Sequence, residues 1–417
     1  MTNEEYITLN KDKDPRSLAL KKAPENVDIL WCLRQIEGYQ LAKKKLPRWA
    51  LTEGLWYPPR LSMEQCSSES TAQYKRDLIQ RLYKDTFIAP FERYDITDIT
   101  GGFGVDFSYM AQGADIATYI ERQEVLCEAA RHNMPLLGIP HATIIKEEFS
   151  SNSSLSYFQS NAIRHSGKAH FVFADPARRD DKGNKIVAIE DCTPNIAQLQ
   201  ESILQHADLL IVKLSPMLDI TQALRSLKNV IEVHVISVKG ECKELLFVLA
   251  APYIYNKVEE ITYHCANLQT SEESFSCTLS YNDKAKDSIL FANPHKGMIL
   301  FEPNASILKT GVQEAFATRY NLQKLHPMSN LYIGKEQITK IPARQFVITD
   351  VCDFSKTSLR QLHKDTKQAN LTIRNFPSTV AELRKRLKIK EGGSIYLFAT
   401  TLYDGSHALI KCQKDLP

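Results

Sequence analysis

The stretch YDITDITGGFGVDFSYMAQGADIATYIE, residues 94–121, constrains the fold more than any other part of the chain. An apolar strand leads into a glycine turn, a short helical segment and a second strand that ends in Glu121. This order of elements begins the ligand-binding half of a doubly wound α/β domain. Gly102 and Gly104 let the backbone turn sharply and approach a ligand closely.

The residues that follow continue the same α/β pattern. Several apolar runs are hydrophobic on both faces, as are parallel strands that helices cover on both sides. The connection between the last two runs is short, which permits an antiparallel pair. We therefore predict a seven-stranded, doubly wound, Rossmann-like domain. Its predicted strands are residues 94–100, 117–121, 142–148, 170–176, 209–215, 231–238 and 244–250.

The length of 417 residues indicates more than one domain. Apolar residues at helical spacing predict a helical N-terminal domain over residues 1–92, followed by the α/β domain over 93–252. The remainder alternates strands and helices, which predicts two small α+β modules, residues 253–335 and 336–417.

Composition narrows the class of protein. A formal net charge of +3 permits a nucleic-acid partner without requiring one. The nine cysteines include no CxxC pair, which argues against a zinc ribbon or a disulfide scaffold and fits a reducing cytoplasm. The sequence has no signal peptide core and no apolar run that could span a bilayer. We therefore expect a cytoplasmic protein with no membrane partner and no metal site.

Acidic side chains around the glycine turn indicate the ligand. A dinucleotide site would have a third glycine where this chain has Phe107. Asp98 and Asp106 suit a neutral or cationic group better than a pyrophosphate, and Glu121 can accept hydrogen bonds from both ribose hydroxyls. These features favour S-adenosylmethionine over NAD. A purely structural turn is the remaining alternative.

A second candidate cluster follows the fourth predicted strand, at the sheet edge where ligands bind in this fold. Asp175 and Pro176 end the strand, although an Asp-Pro pair also starts ordinary turns. Arg178 and Arg179 follow and could bind a base or a phosphate. Lys213 leaves the next strand at the same edge, where it either binds an anionic substrate or extends to solvent.

Two further polar regions each allow two interpretations. The cluster that includes Gln65, Ser67 and Ser68 either caps the following helix or forms a lid over the ligand. Basic side chains near the C-terminus form either a solvated helix face or a contact with an RNA backbone. These basic residues are Arg374, Arg384, Lys385, Arg386, Lys388 and Lys390.

Several motifs together resemble a known family. The segments ITDITGGFGVD, YIERQ, FADPARRD, VKLSPMLD and EQCSSESTAQYK resemble those of bacterial class I S-adenosylmethionine-dependent methyltransferases that carry a THUMP-like C-terminal domain. The tail RNFPSTVAELRKRLKIKEGGSIYLFATTL resembles that THUMP-like module. The stretch around GMILFEPNASILKTG resembles the small ferredoxin-like domain of the Bacteroidetes members. With this resemblance, the predicted cofactor-binding residues are Asp98, Thr100, Gly102, Gly104, Asp106, Glu121, Glu148 and Asp175.

The predicted reaction is methyl transfer from S-adenosylmethionine, with a base of tRNA or rRNA as the expected acceptor. The predicted catalytic residues are Asp175, Pro176, Arg178 and Lys213. The predicted substrate-binding residues are Gln65, Ser67, Ser68, Arg178 and Arg179. Methyltransferases that act on the amino groups of bases usually have a second proline and an aromatic residue after Asp-Pro, where this chain has Ala177 and Arg178. A protein or small-molecule methyltransferase and a binding module without turnover are the alternatives.

Overall fold

The structure is a computed structural model that describes residues 1–22, 24–87, 94–153, 168–177, 189–255, 260–280 and 290–414. The chain divides into two compact units. Unit 1 comprises Met1–Glu232 and Leu245–Val258, and unit 2 comprises Val233–Glu244 and Glu259–Pro417. Among the described residues, no helix combines the length and the apolar composition that a membrane span needs.

Unit 1 begins with helices. They are α1 (Asn3–Asn10), α2 (Pro15–Ala19), α3 (Ile29–Lys45), α4 (Pro47–Leu51), α5 (Arg60–Gln65) and α6 (Glu69–Thr86). Helix α6 begins after Ser68, whose hydroxyl accepts a hydrogen bond from the Thr71 backbone N–H at 3.4 Å. That contact satisfies one of the unpaired N–H groups of the first turn, as an N-cap residue does.

A sheet follows the helices in unit 1. Its strands are β1 (Tyr94–Asp98), β2 (Ile116–Glu121), β3 (Ala142–Lys146), β4 (Ala169–Ala174), β5 (Leu209–Leu214), β6 (Val230–Val238) and β7 (Glu241–Ala250). Six of them pair in the order β3-β2-β1-β4-β5-β7. Strands β1 to β5 are parallel, and β7 is antiparallel to β5. The mixed α/β architecture and the reversed last strand are thus confirmed, while β6 continues from unit 1 into unit 2.

The strands at the middle of this sheet are buried, although β1 carries the polar residues Asp95, Thr97 and Asp98. Strands β1, β4 and β5 are buried along their whole length. The accompanying helices are α7 (Val105–Met110), α8 (Glu124–Leu136), α9 (Ile196–Leu204), α10 (Ile220–Ser226) and α11 (Pro252–Tyr255). Parallel pairing brings the carboxyl ends of β1, β2, β4 and β5 to one edge. Polar residues that end these strands therefore meet there.

Unit 2 contains an antiparallel strand pair, β8 (Glu260–Leu268) and β9 (Phe275–Ser280). A seven-stranded sheet of order β11-β12-β10-β13-β16-β15-β14 follows. Its strands are β10 (Ile299–Pro303), β11 (Gln323–His326), β12 (Ser329–Gly334), β13 (Ala343–Cys352), β14 (Asn370–Arg374), β15 (Ile395–Thr401) and β16 (His407–Gln413). The helices are α12 (Ala305–Thr310), α13 (Gln313–Arg319), α14 (Lys356–Asp365) and α15 (Val380–Leu387).

Candidate active site

The glycine turn after β1 packs directly against β2. A Cβ atom at Gly101 would lie 2.2 Å from Cε2 of Tyr119, so no side chain fits at that position. Gly102 and Gly104 have φ angles of +57° and +82°, in the left-handed region that glycine adopts at little cost. The Tyr119 hydroxyl donates to the Gly102 carbonyl. Phe103 packs against Trp49 with 4.8 Å between ring centroids, which joins the turn to the N-terminal helices.

Glu121, at the end of β2, is held against this turn. Its Oε2 accepts a hydrogen bond from the Gly102 N–H at 2.9 Å, and its Oε1 accepts one from the Gln123 N–H at 2.8 Å. Each carboxylate oxygen keeps a second lone pair. The side chain is therefore fixed in orientation and can still accept hydrogen bonds from two neighbouring hydroxyls.

Asp98, at the end of β1, is 1% exposed. Its Oδ1 accepts hydrogen bonds from the backbone N–H of Thr100 at 2.9 Å and from the Thr100 hydroxyl at 3.2 Å. Burial raises the pKa of Asp98 to about 8. The Thr100 N–H opposes that rise, and the nearby charges of Asp106 and Asp175 add to it. This carboxyl group is thus mostly protonated near neutral pH.

Asp106, in the first turn of α7, lies between two lysines. Lys75 is fully buried, and its Nζ is 2.9 Å from Asp106 Oδ1. Lys213 Nζ is 3.2 Å from Asp106 Oδ2 and 2.8 Å from Asp175 Oδ2. Burial works against ionisation of Asp106. The two ammonium groups and the Ser67 hydroxyl outweigh it and hold the pKa of Asp106 well below its usual range.

Ser67 joins the members of this network. Its hydroxyl donates to Asp106 Oδ2 at 2.6 Å and accepts from Lys213 Nζ at 2.8 Å and from Lys75 Nζ at 3.3 Å. Asp175 is connected to the glycine turn as well, because its backbone N–H donates to the Thr100 hydroxyl at 2.6 Å. The charge network of Ser67, Lys75, Asp106, Asp175 and Lys213 therefore meets the glycine turn at one edge of the sheet.

Gln65, Ser68 and Glu148 were also predicted for the site, and Lys213 allowed two interpretations. Gln65 is exposed at the end of α5, and Ser68 caps α6. Glu148 is 54% exposed and lies 3.5 Å from Arg122. Lys213 does not extend to solvent, since its side chain is 10% exposed and bound to two carboxylates. The functional roles of these four residues remain predictions.

Pro176 is buried directly after Asp175, whose own side chain is 43% exposed. Ala177 pairs with Thr193 through two backbone hydrogen bonds of 2.8 and 3.1 Å. This pairing fixes the backbone just after the carboxylate. Arg178 and Arg179 lie outside the described residues.

Lys75 was not among the residues that the sequence predicts for the site. It lies on the buried face of α6 together with Ala72, Leu78, Ile79 and Leu82. The sequence did contain a signal, because Lys75 stands at a position where the helical spacing of α6 predicts an apolar residue. A lysine is rarely buried completely unless it is paired, so this spacing pointed to a partner without identifying it.

Known proteins resemble both the whole chain and its C-terminal part. Family models described as a ferredoxin-like domain and as a THUMP domain-like domain match residues 300–342 and 343–414. The structure of a "putative methyltransferase from Porphyromonas gingivalis W83" matches at a TM-score of 0.82 and 31% identity, over 99% of this chain and 98% of that one. The chain belongs to this family of methyltransferases with a THUMP-like domain. The resemblance inferred from the motifs is thereby confirmed.

More distant solved structures resemble parts of the chain. A "putative class i s-adenosylmethionine-dependent methyltransferase" from Listeria monocytogenes matches at 12% identity and a TM-score of 0.36, over 64% of this chain and 93% of that one. An rRNA methylase from Streptococcus thermophilus matches at 13% identity and a TM-score of 0.29, over 42% of this chain and 95% of that one. No curated protein matches the sequence.

Proposed function

We propose that this protein is an S-adenosylmethionine-dependent methyltransferase that acts on RNA, at a base of tRNA or rRNA. One observation carries the proposal. The Asp98 and Glu121 carboxyl groups at the glycine turn meet the Asp175–Lys213 pair at one sheet edge. That edge is where ligands bind in doubly wound α/β domains.

The residues at the turn fit the proposed cofactor. Because Gly101 and Gly102 carry no side chains, a ligand can approach the backbone of the turn closely. Glu121 has lone pairs that can accept hydrogen bonds from two ribose hydroxyls. Asp98 is a buried carboxyl group that a cationic amino group would favour in its ionised form. When bound, S-adenosylmethionine supplies an electrophilic methyl group on a sulfonium. The carboxyl groups at this edge suit that cationic ligand better than a pyrophosphate.

In the proposed reaction, Asp175 orients the acceptor. Lys213 contacts Oδ2 of its carboxylate, and the half-exposed side chain can accept a hydrogen bond or a proton from the nucleophile. The remaining rate enhancement comes from holding the acceptor in line with the transferred group. Pro176 and the paired backbone of Ala177 keep the carboxylate at the sheet edge.

Asp106 acts indirectly in this proposal. Both of its carboxylate oxygens already have partners within the chain, namely Lys75, Lys213 and Ser67. We therefore assign Asp106 to the support of Lys213 and give the direct cofactor contacts to Asp98 and Glu121. Arg178 and Arg179 are retained as proposed contacts to a base or a phosphate.

The RNA acceptor is supported by the THUMP-like match and by the basic residues of that segment. Lys385, Arg386, Lys388 and Lys390 are exposed on or just after α15, where a phosphate backbone could reach them. Arg374 instead binds Glu302 at 2.6 Å, and Arg384 donates to the Ala369 carbonyl at 3.5 Å. We therefore propose that RNA contacts the four exposed residues Lys385, Arg386, Lys388 and Lys390.

The test is transfer of tritiated methyl from S-adenosylmethionine to total RNA from a strain that lacks this gene. We expect label in the RNA of the deletion strain and none in RNA from the parent strain, whose target is already modified. An Asp175→Asn variant should transfer label at less than about a tenth of the wild-type rate. Label that enters only protein or small molecules would refute the RNA acceptor. Absence of label from every fraction would refute turnover.

A further inference from the structure

Lys213 lies between two carboxylates and favours one of them. Its Nζ is 2.8 Å from Asp175 Oδ2 but 3.2 Å from Asp106 Oδ2. Asp106 is the more buried of the two, with 10% of its side chain exposed against 43% for Asp175. In a low-dielectric site an ammonium group should be drawn to the buried carboxylate. The observed preference therefore needs a cause.

The cause lies on the other side of Asp106. Lys75 takes Oδ1 at 2.9 Å, and the Ser67 hydroxyl donates to Oδ2 at 2.6 Å. The Lys75 ammonium compensates the charge of Asp106, and the Ser67 hydroxyl bonds Oδ2, the oxygen that faces Lys213. Lys213 can then place its ammonium against Asp175, and Ser67 supports it with a further contact at 2.8 Å.

We propose that Lys75 is a positioning residue, which acts through Asp106 and Ser67 to hold the Lys213 ammonium against the Asp175 carboxylate. Helix α6 and the segment before it thereby set the geometry of the acceptor site. This inference rests on the proposed function, since it assigns the orientation of Asp175 a role in methyl transfer.

Stability alone does not explain a fully buried lysine at this position. Buried ion pairs often contribute little to stability, because the loss of hydration offsets the attraction between the charges. Apart from Thr71, the other buried residues of α6 are apolar. The Lys75 ammonium contacts Asp106 and Ser67 of the charge network, which fits a role in positioning.

The first experiment compares Lys75→Met with Arg81→Met. Arg81 lies on the same helix and binds Glu232 at 2.9 Å and Asp85 at 3.1 Å, away from the charge network. With tritiated S-adenosylmethionine at saturation and total RNA from the deletion strain, we expect Lys75→Met to lower the initial rate about 10- to 100-fold. The dissociation constant of S-adenosylhomocysteine should change less than about 3-fold in both variants, because the turn is unaltered. Arg81→Met should retain the wild-type rate.

Ser67→Ala is the second variant, because it removes only one oxygen and should fold even if Lys75→Met does not. We expect it to lower the rate about 10-fold at unchanged S-adenosylhomocysteine affinity. Crystal structures of the variants supply a readout independent of turnover, in which Lys213 should move from Asp175 towards Asp106. A Lys213 that stays against Asp175 in the variants would overturn the positioning role. If Lys213 moves but the wild type transfers no methyl group, the positioning holds and the proposed function fails.

Discussion

The buried carboxyl group of Asp98 makes the stability of unit 1 depend on pH in a direction that is unusual for an acid. Its pKa lies at about 8, against an ordinary value of 3.8. The folded chain therefore keeps a proton that the unfolded chain releases above about pH 4. The stability present at acidic pH is lost as the pH rises towards 8, and the loss levels off above that value.

The size of this effect follows from the pKa values. One pKa unit corresponds to about 1.4 kcal/mol, so the full span from 3.8 to about 8 amounts to roughly 6 kcal/mol as an upper limit. Asp98→Asn keeps the shape of the side chain and an oxygen that can accept from Thr100, but it cannot ionise. Its stability relative to the wild type should rise by up to about 1.4 kcal/mol per pH unit between pH 5 and 8.

The assay is urea unfolding followed by tryptophan fluorescence at several pH values. All three tryptophans, Trp31, Trp49 and Trp56, lie in unit 1, so the signal reports that unit. The contributions of other titratable groups to the free energy of unfolding cancel when Asp98→Asn is compared with the wild type at each pH. A stability difference that does not change between pH 5 and 8 would refute a protonated Asp98.

Three further predictions concern packing and charge. Gly101→Ala should abolish S-adenosylhomocysteine binding, because the added carbon would lie 2.2 Å from the Tyr119 ring. In the control Gly138→Ala, the left-handed backbone should lower the free energy of unfolding by about 1 kcal/mol, and binding should stay intact because the surroundings of Gly138 are open. Lys75→Met should lower the free energy of unfolding of unit 1 by about 3–5 kcal/mol, measured by urea titration, because it leaves the Asp106 charge without one partner. RNA affinity, measured by filter binding, should fall steeply with salt, and the double variant Lys385→Gln/Arg386→Gln should flatten that dependence. Unchanged slopes would exclude those two side chains from phosphate contact.

The sequence was most informative where a strand ends in a charged residue. Asp98, Glu121 and Asp175 each follow an apolar run, and parallel pairing brings such ends to one edge whatever their separation along the chain. The antiparallel β7 was predictable in the same way from the short connection before it.

The sequence was less informative about which side chains pair. Lys213 allowed two interpretations, and only the folded chain shows that its side chain is buried between Asp106 and Asp175. Lys75 and Ser67 lie far from Asp106 along the chain, so no spacing rule connects them. For the polar segment before α6, the sequence offered a helix cap or a lid over the ligand. Ser68 does cap α6, whereas the bond between Ser67 and Asp106 was not predicted and the lid stays a prediction.

The central claim is that the glycine turn with Asp98 and Glu121 binds S-adenosylmethionine. Isothermal titration of the full chain with S-adenosylhomocysteine tests it most directly, with Glu121→Gln as the matched variant. We expect saturable binding to the wild type and an affinity about 10- to 100-fold lower in Glu121→Gln, since hydrogen bonds to a charged carboxylate contribute about 1.5–3 kcal/mol. Absence of binding to the wild type, or equal affinity in the two proteins, would show that the turn with Glu121 does not bind the cofactor.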